Sequence, residues 1–402
     1  MVIGIIGGGA SGMAAAWAAS QSKETRVLLF ERQARLGRKL LATGNGRCNL
    51  TNLHAASQGF HGEDPSFALP ALQDYPPEKI LGWFESLGLL TVSEDSGRVY
   101  PYSDQANSVV DCLRFALEKE NIQLILGCEI LKARKVGQQF CLETKEEKFL
   151  CDRVIVACGG AAGSKLGGSM AGYKLLNKLG HKVSELRPAL VQLKSPWQGC
   201  VALKGVRCNC AIAILRNGEV FSESVGELQF TEYGLSGPVI FEVSRDVCRE
   251  NGCWEAKIDF LPQLREEKLL KMLTAKRQTN LPCNELLTGI LHNRLGRVLC
   301  KAASIPAEAP ISELEDITLR NLCTMLKGFH IPVSEPLGMD SAQVTAGGVL
   351  TNQFHQETME SRLTPGLYAC GEVLDIDGDC GGYNLQWAWA SGLTAGYHAG
   401  KE

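Results

Sequence analysis

The stretch VIGIIGGGASGMAAAWAA, Val2 to Ala19, decides how this chain is read. A short β-rich run, Val2 to Ile6, leads into Gly7, Gly9 and Gly12 in G-x-G-x-x-G spacing. From Ser11 to Ser20 the composition turns to small helix formers. The apolar run TRVLLFE follows and ends in Glu31, 19 positions after Gly12. Strand, tight turn, helix and second strand make one βαβ unit. Gly7 permits the sharp turn, Gly9 lets a pyrophosphate approach the backbone, and Gly12 lets helix and strand pack closely. The helix that opens at Ala10 and Ser11 offers free N–H groups and the favourable end of its dipole to phosphates. A carboxylate at Glu31, followed by Arg32, can accept both hydroxyls of an adenosine ribose and would repel a 2′-phosphate. FAD or NAD therefore fits this site better than NADP. A lone glycine motif says little, but strand, helix, second strand and terminal acid in register predict a dinucleotide site.

At 402 residues the chain is long enough for two or three domains and a sizeable core. A formal net charge of −3 signals no general nucleic-acid or anionic-membrane surface. No positive region precedes the first apolar run, and no run of eighteen or more apolar residues occurs, so a cytoplasmic protein without a membrane span is expected. The 16 cysteines are scattered through apolar segments such as VIVACGG and read as reduced packing residues. There is no C-x-x-C, and Cys208 and Cys210 alternate along a predicted strand with no histidine cluster nearby, so no metal site is expected.

Along the chain, IQLILGCEI, QQFCLET and DRVIVACGG read as strands, and PEKILGWFESLGL and ANSVVDCLRFALEKE as helices. From Ala189 the character changes to short antiparallel strands (ALVQL, RCNCAIAIL, EVFSESV, WEAKIDFLP) with an NG turn at Asn217–Gly218. From about Arg265 to Lys327 the pattern is helical: REEKLLKMLTAKR, NELLTGILHNRLGRVLCKAA and SELEDITLRNLCTMLKG. NLQWAWASGLTAGYHA closes the chain as a helix. The expected organisation is α/β: a Rossmann-like FAD-binding domain over 1–188 and 341–402, a β-rich insert over 189–262 and 328–340, and a helical subdomain over 263–327.

Two further stretches carry chemistry. LGRKLLATGNGRCNLTN, Leu36 to Asn52, holds cations able to neutralise a diphosphate (Arg38, Lys39, Arg47), glycines that free backbone N–H groups, Cys48, and Asn49, which can both donate and accept. By composition alone a charged surface loop is the better reading. GLYACGEVLDIDGDCGGYNLQWAWASG, Gly366 to Gly392, places Gly371 and Glu372 after an apolar run and Tyr383 and Asn384 at the start of a helix. NAD needs only the first βα turn. FAD is longer, and a late glycine–acid pair can take its ribityl hydroxyls while a helix N-terminus faces the ring edge that gathers charge on reduction. The two chain ends together favour FAD. The small residues Ala157, Gly159 and Gly160 would let the chain pass close to such a dinucleotide.

The motifs GRKLLATGNGRCNLTN, GRVYPYSDQA, FTEYGLSGP, AQVTAGGV, TMESRLTPGLYACGEVLDIDG and GGYNLQWAWASG closely resemble the BaiN/YhiN-like flavoproteins over nearly the whole chain. The resemblance implies an FAD domain of the two-dinucleotide-binding-domain type, interrupted by a β-barrel-like and helical insert. It implies the ADP half on Gly7, Gly9, Gly12 and Glu31. Arg38, Lys39, Asn45, Arg47, Cys48 and Asn49 would run along the diphosphate and flavin, with Gly371, Glu372 and Asp375 near the ribityl chain. Gly382, Tyr383 and Asn384 would lie at the ring. Where many relatives carry a histidine before GLSGP, this chain has Glu232 and Tyr233, and where they carry ATGG it has Ala157–Cys158–Gly159–Gly160. Activities attached to the family include reduction of C=C bonds in steroid-like acids, oxidation of small aminoketones and reduction of uridine in ribosomal RNA.

The expected activity is therefore that of a flavin oxidoreductase. NADH or NADPH reduces FAD, and hydride then passes to an activated C=C bond while a side chain or water gives a proton. Tyr383, Tyr100 and Glu232 are candidate proton donors, and Arg98 would orient an anionic substrate. The acceptor, a small molecule or ribosomal RNA, stays open at this stage, as does the oligomeric state. An NAD-dependent dehydrogenase, or a flavin-bearing protein that binds RNA or a partner without turnover, are the rival readings.

Overall fold

In the computed structural model, which describes every residue except Asn251 and Glu402, the chain divides into two units. One comprises Met1–Pro188 with Ala342–Glu402, the other Ala189–Ser341. The first is built on five parallel strands in the spatial order Leu367–Ala369, Arg153–Val156, Val2–Ile6, Arg26–Glu31 and Ile122–Leu126. The first strand is central, and Ile5 pairs with Leu29 on one side and Ile155 on the other. It reads as a continuous apolar run because both faces of the sheet are covered. On one face an antiparallel meander, Lys132–Val136, Gln139–Glu143 and Lys148–Cys151, packs so closely that a Cβ on Gly4 would stand 2.8 Å from Cys151 Sγ and Leu142 Cδ1.

The other face carries two helices, Ala10–Ala19 and Tyr383–Gly400, from opposite ends of the chain. They meet backbone to backbone. A Cβ on Gly392 would lie 2.4 Å from Ser11 O, one on Gly396 2.2 Å from Ala15 O, and one on Gly400 3.2 Å from Ala19 O. Positions four apart share a helix face, so three glycines on one helix face a row of small residues on the other. Trp387 and Trp389 on the closing helix are fully buried, and Trp389 Nε1 donates to Leu50 O at 2.9 Å.

The second unit holds a six-stranded sheet. Its long hairpin, Arg207–Arg216 with Glu219–Thr231, turns through Asn217 and Gly218, both left-handed at φ 52° and 85°. That is the turn an NG pair favours. The segment that follows the last strand, Phe329–Val333, returns to the first, where Leu193 bridges to Pro336 and Lys194 N donates to Glu335 O at 2.8 Å. Two segments differ from the sequence expectation. Pro238–Arg249, inside the stretch read as strands, is a helix that buries Val239, Ile240, Val243 and Val247. NELLTGILHNRLGRVLCKAA is not one helix. A short 3-10 turn at Cys283–Glu285 is followed by Gly289 at φ 82°, and the helix Asn293–Ala302 starts only where His292 Nδ1 accepts from Arg294 N. No helix among the described residues is long and apolar enough to cross a membrane.

Gly396→Ala forces a methyl onto rigid backbone, an overpacking that outweighs the better helix propensity of alanine, and is expected to destabilise by about 1–3 kcal/mol. Gly82→Ala, in the Pro77–Ser86 helix with nothing within 4 Å of its Cβ position, is expected to stabilise by roughly 0.5–1 kcal/mol. Thermal melts of both variants check the contrast.

Candidate cofactor site

The central strand ends in the glycine turn, at the point where neighbouring strands lead off to opposite sides, which is where open α/β sheets bind ligands. The three motif glycines have different surroundings. Gly7 is left-handed at φ 111°, and a Cβ there would sit 2.4 Å from Ala157 O. A Cβ on Gly12 would sit 1.8 Å from Gly7 O. Gly9, at the cap of the Ala10–Ala19 helix, faces open space, with nothing within 4 Å. Gly159 is likewise open at φ 68°. Two of the motif positions are thus required by packing, and the third leaves a gap in front of a helix N-terminus.

Glu31 is held at this turn. Its Oε2 accepts from Gly8 N at 2.8 Å and its Oε1 from Gln33 N at 2.7 Å. Arg38 donates to Gln33 Oε1 at 2.8 Å and, with Arg35 and Leu41, lines a cleft of about 470 Å³. Arg32 turns elsewhere and donates to Gly167 O at 2.7 Å.

The C-terminal constellation docks on the same turn. Gly371, at φ 75°, donates its N–H to Ser391 Oγ and accepts from Trp387 Nε1, so the closing helix grips it twice. A side chain there would strike Ser11 Oγ at 2.5 Å. Glu372 Oε1 accepts from Thr345 N at 2.8 Å, and Oε2 pairs with Lys39 Nζ at 2.8 Å. Gly160 is glycine for this reason, since a Cβ would lie 2.3 Å from Glu372 Oε1. Asp375 is buried and accepts from Glu63 N at 3.3 Å.

A second group gathers at the start of the closing helix. The loop before Asn49 is left-handed at Gly44, Asn45, Gly46 and Cys48 (φ 57°, 57°, 86° and 62°). Two of these are not glycine, and each non-glycine residue in that region carries strain of order 1 kcal/mol or more. Arg47 lies over the Tyr100 ring at 3.9 Å and pairs with Asp104 (2.6 Å) and Glu94 (3.3 Å), so its charge is committed to carboxylates. Asn49 is buried, and its Oδ1 has no hydrogen-bond partner. Burial pushes the Cys48 thiol up to about 12 and raises the Tyr100 phenol. A Cβ on Gly382 (φ 105°) would lie 2.4 Å from Thr51 O, and Asn52 Nδ2 donates to Gly381 O, which fixes this strand against the helix start. Arg98 reaches the same glycines, its Nε 2.8 Å from the Cβ position of Gly381. Asn384 binds both N–H and C=O of Gly378, and the Tyr383 ring meets Phe60 edge-on at 5.7 Å.

Glu232 belongs to the second unit, where it is exposed and paired with Lys204. Residues that sequence reasoning missed include Thr345, Trp387 and Ser391, and the pair His61–Asp379 (2.6 Å). Their partners lie far away in sequence, so no local signal marks them. A dinucleotide fits the residues present: an open cradle at Gly9 under a helix N-terminus, a carboxylate at the end of the second strand, and a buried amide oxygen in want of a donor.

A family model described as "HI0933-like protein Rossmann domain" matches residues 1–398. The chain is 40% identical to the 3-dehydro-bile acid delta(4,6)-reductase of Clostridium scindens, over 99% of both chains. It is 32% identical to the ribosomal RNA dihydrouridine synthase of Escherichia coli, over 96% of this chain and 95% of that protein. Among solved structures, 3-ketosteroid delta1-dehydrogenase from Sterolibacterium denitrificans shares the fold, with a TM-score of 0.51, 12% identity and 99% of each chain covered.

Gly9→Val is expected to fold and melt like the parent but to purify without bound FAD, whereas Gly12→Ala, clashing with Gly7 O, is expected not to fold. Cofactor content and circular dichroism separate the two. At pH 8 a thiol at about 12 is ionised only about one part in ten thousand. Thiol titration of the native protein should therefore label exposed Cys253 and leave Cys48 and Cys370, both raised by burial, unreacted until the chain unfolds.

Proposed function

The chain belongs to the HI0933-like Rossmann family, and we propose that it is an FAD-dependent oxidoreductase that takes hydride from NADH or NADPH and delivers it to the activated C=C bond of a small, largely apolar acceptor. The observation that carries the reading is the meeting of the two chain ends on one glycine turn. Gly9 opens on empty space there, while Gly371 and Glu372 pack beside Ser11 and Lys39.

When bound, FAD supplies the two-electron chemistry. Ala10, Ser11 and Gly12 present the helix N-terminus to its diphosphate, and Glu31 takes ribose hydroxyls. Asn49 Oδ1, a buried acceptor without a partner, would be available to a donor on the cofactor. Glu372 fixes Lys39 beside the turn. Arg98 is half-buried and has no ion pair among the described residues, so it is available to an anionic group on the acceptor. Tyr383, the first residue of the closing helix and edge-on to Phe60, gives the proton that completes reduction of the double bond.

The relatives named above act on a bile acid and on ribosomal RNA. A net charge of −3, with acidic and basic side chains nearly balanced in the second unit, gives no overall excess of positive charge to attract an RNA backbone, which favours the small acceptor.

Anaerobic titration of the yellow protein with NADH or NADPH should bleach it, and a 3-oxo-4-ene steroid acid should restore the colour. Tyr383→Phe should leave the bleaching unchanged and slow the recovery by about 100-fold or more. A colourless protein that reduces NAD overturns the reading. Tight, salt-sensitive RNA binding with recovery by uridine-containing RNA alone would move the assignment to RNA.

A further inference from the structure

A phenol that gives up its proton at each turnover must regain it, and a partly buried one needs a route to water. Two side chains beside Tyr383 have the chemistry and the placement. His61 Nε2 and Asp379 Oδ1 lie 2.6 Å apart, and with 32% and 44% of their side chains exposed the pair touches solvent. On its inner side the same carboxylate closes on Gly59. A Cβ there would lie 2.7 Å from Asp379 Oδ2 and 2.6 Å from Tyr383 Cε1, the ring carbon next to the one that bears the hydroxyl. Asp379 thus meets the imidazole through Oδ1, while its Oδ2 and the phenol ring border the same glycine.

The backbone holds this arrangement from several directions. Asp377 pairs with His61 and Gly378 with Phe60 in a two-strand ladder, and Asp379 N donates to Gly59 O at 2.9 Å. Asn384, the residue after Tyr383, donates to the carbonyls of both Gly378 and Asp379. Gly59 is left-handed at φ 77°, and no other residue would leave room for ring and carboxylate together. An exposed ion pair adds little stability by itself, so stability gives no reason for a turn built so closely around this one.

We infer that His61 and Asp379 return protons from solvent to Tyr383, in contact or through one water. The inference rests on the hydride-transfer reading above. In the reduction, one carbon of the double bond takes the hydride and the other takes the Tyr383 hydroxyl proton. The phenolate left behind takes a proton from the His61 imidazolium by way of the Asp379 carboxylate, and His61 takes one from water. One solvent proton is consumed per double bond. His61 and Asp379 act through Tyr383 and are positioning residues.

The test uses the full FAD-loaded chain, reduced with dithionite and mixed in stopped flow with a 3-oxo-4-ene steroid acid or with ferricyanide, which removes electrons and takes no proton onto carbon. His61→Gln and Asp379→Asn should each slow recovery by the steroid acid at least tenfold and leave recovery by ferricyanide within twofold of the parent. Added imidazole should restore part of the lost rate in His61→Ala. Recovery unchanged with both acceptors overturns the relay, as does equal slowing with both, which marks a structural role. A parent protein that turns over while the variants match it overturns the relay alone. A parent that the steroid acid fails to reoxidise overturns the hydride-transfer reading and the relay with it.

Discussion

The first unit depends on one close approach, that of the Tyr383–Gly400 helix to the backbone of the Ala10–Ala19 helix. Gly392, Gly396 and Gly400 carry no Cβ where one would strike Ser11 O, Ala15 O and Ala19 O or crowd against them. The contact buries Trp387 and Ser391 beside Gly371, so the same helix that covers the sheet sets the late glycine turn against the early one. Packing and binding geometry are consequently one problem. A change that lifts the closing helix by a methyl group also shifts the carboxylate of Glu372 relative to Gly9.

The charges around the site follow a second rule. Nearly every one is already matched within the protein: Lys39 with Glu372, Arg47 with Asp104 and Glu94, Glu31 with two backbone N–H groups. A site so arranged is organised before any ligand arrives, and its groups need little rearrangement when charge moves nearby. Arg98 stands apart from this pattern, as does the amide oxygen of Asn49.

What could be read in the sequence was what depends on neighbours along the chain. The βαβ unit was legible because each glycine's role follows from its place in a turn of a dozen residues, and the NG hairpin for the same reason. Arg47 was legible as a cation but not as a clamp, because Tyr100, Asp104 and Glu94 lie about fifty residues away. Arg32 follows the ribose-binding acid in sequence, yet its guanidinium serves the carbonyl of Gly167. The helix at Pro238–Arg249 was hidden by its β-branched residues. Their spacing, Val239, Ile240, Val243 and Val247, was the overlooked helical signal. His61 and Asp379 meet only because a two-residue ladder joins segments more than three hundred positions apart, and no local pattern announces such a ladder.

The order of strands has a consequence for how the protein is made. The central strand precedes its partners along the chain, but one of its flanking strands, Arg153–Val156, has its own outer neighbour only in Leu367–Ala369, and the covering helix comes later still. Until those last residues emerge, the glycine turn has no Gly371 against it and the sheet keeps an open edge and a bare face. Pairings this distant close slowly.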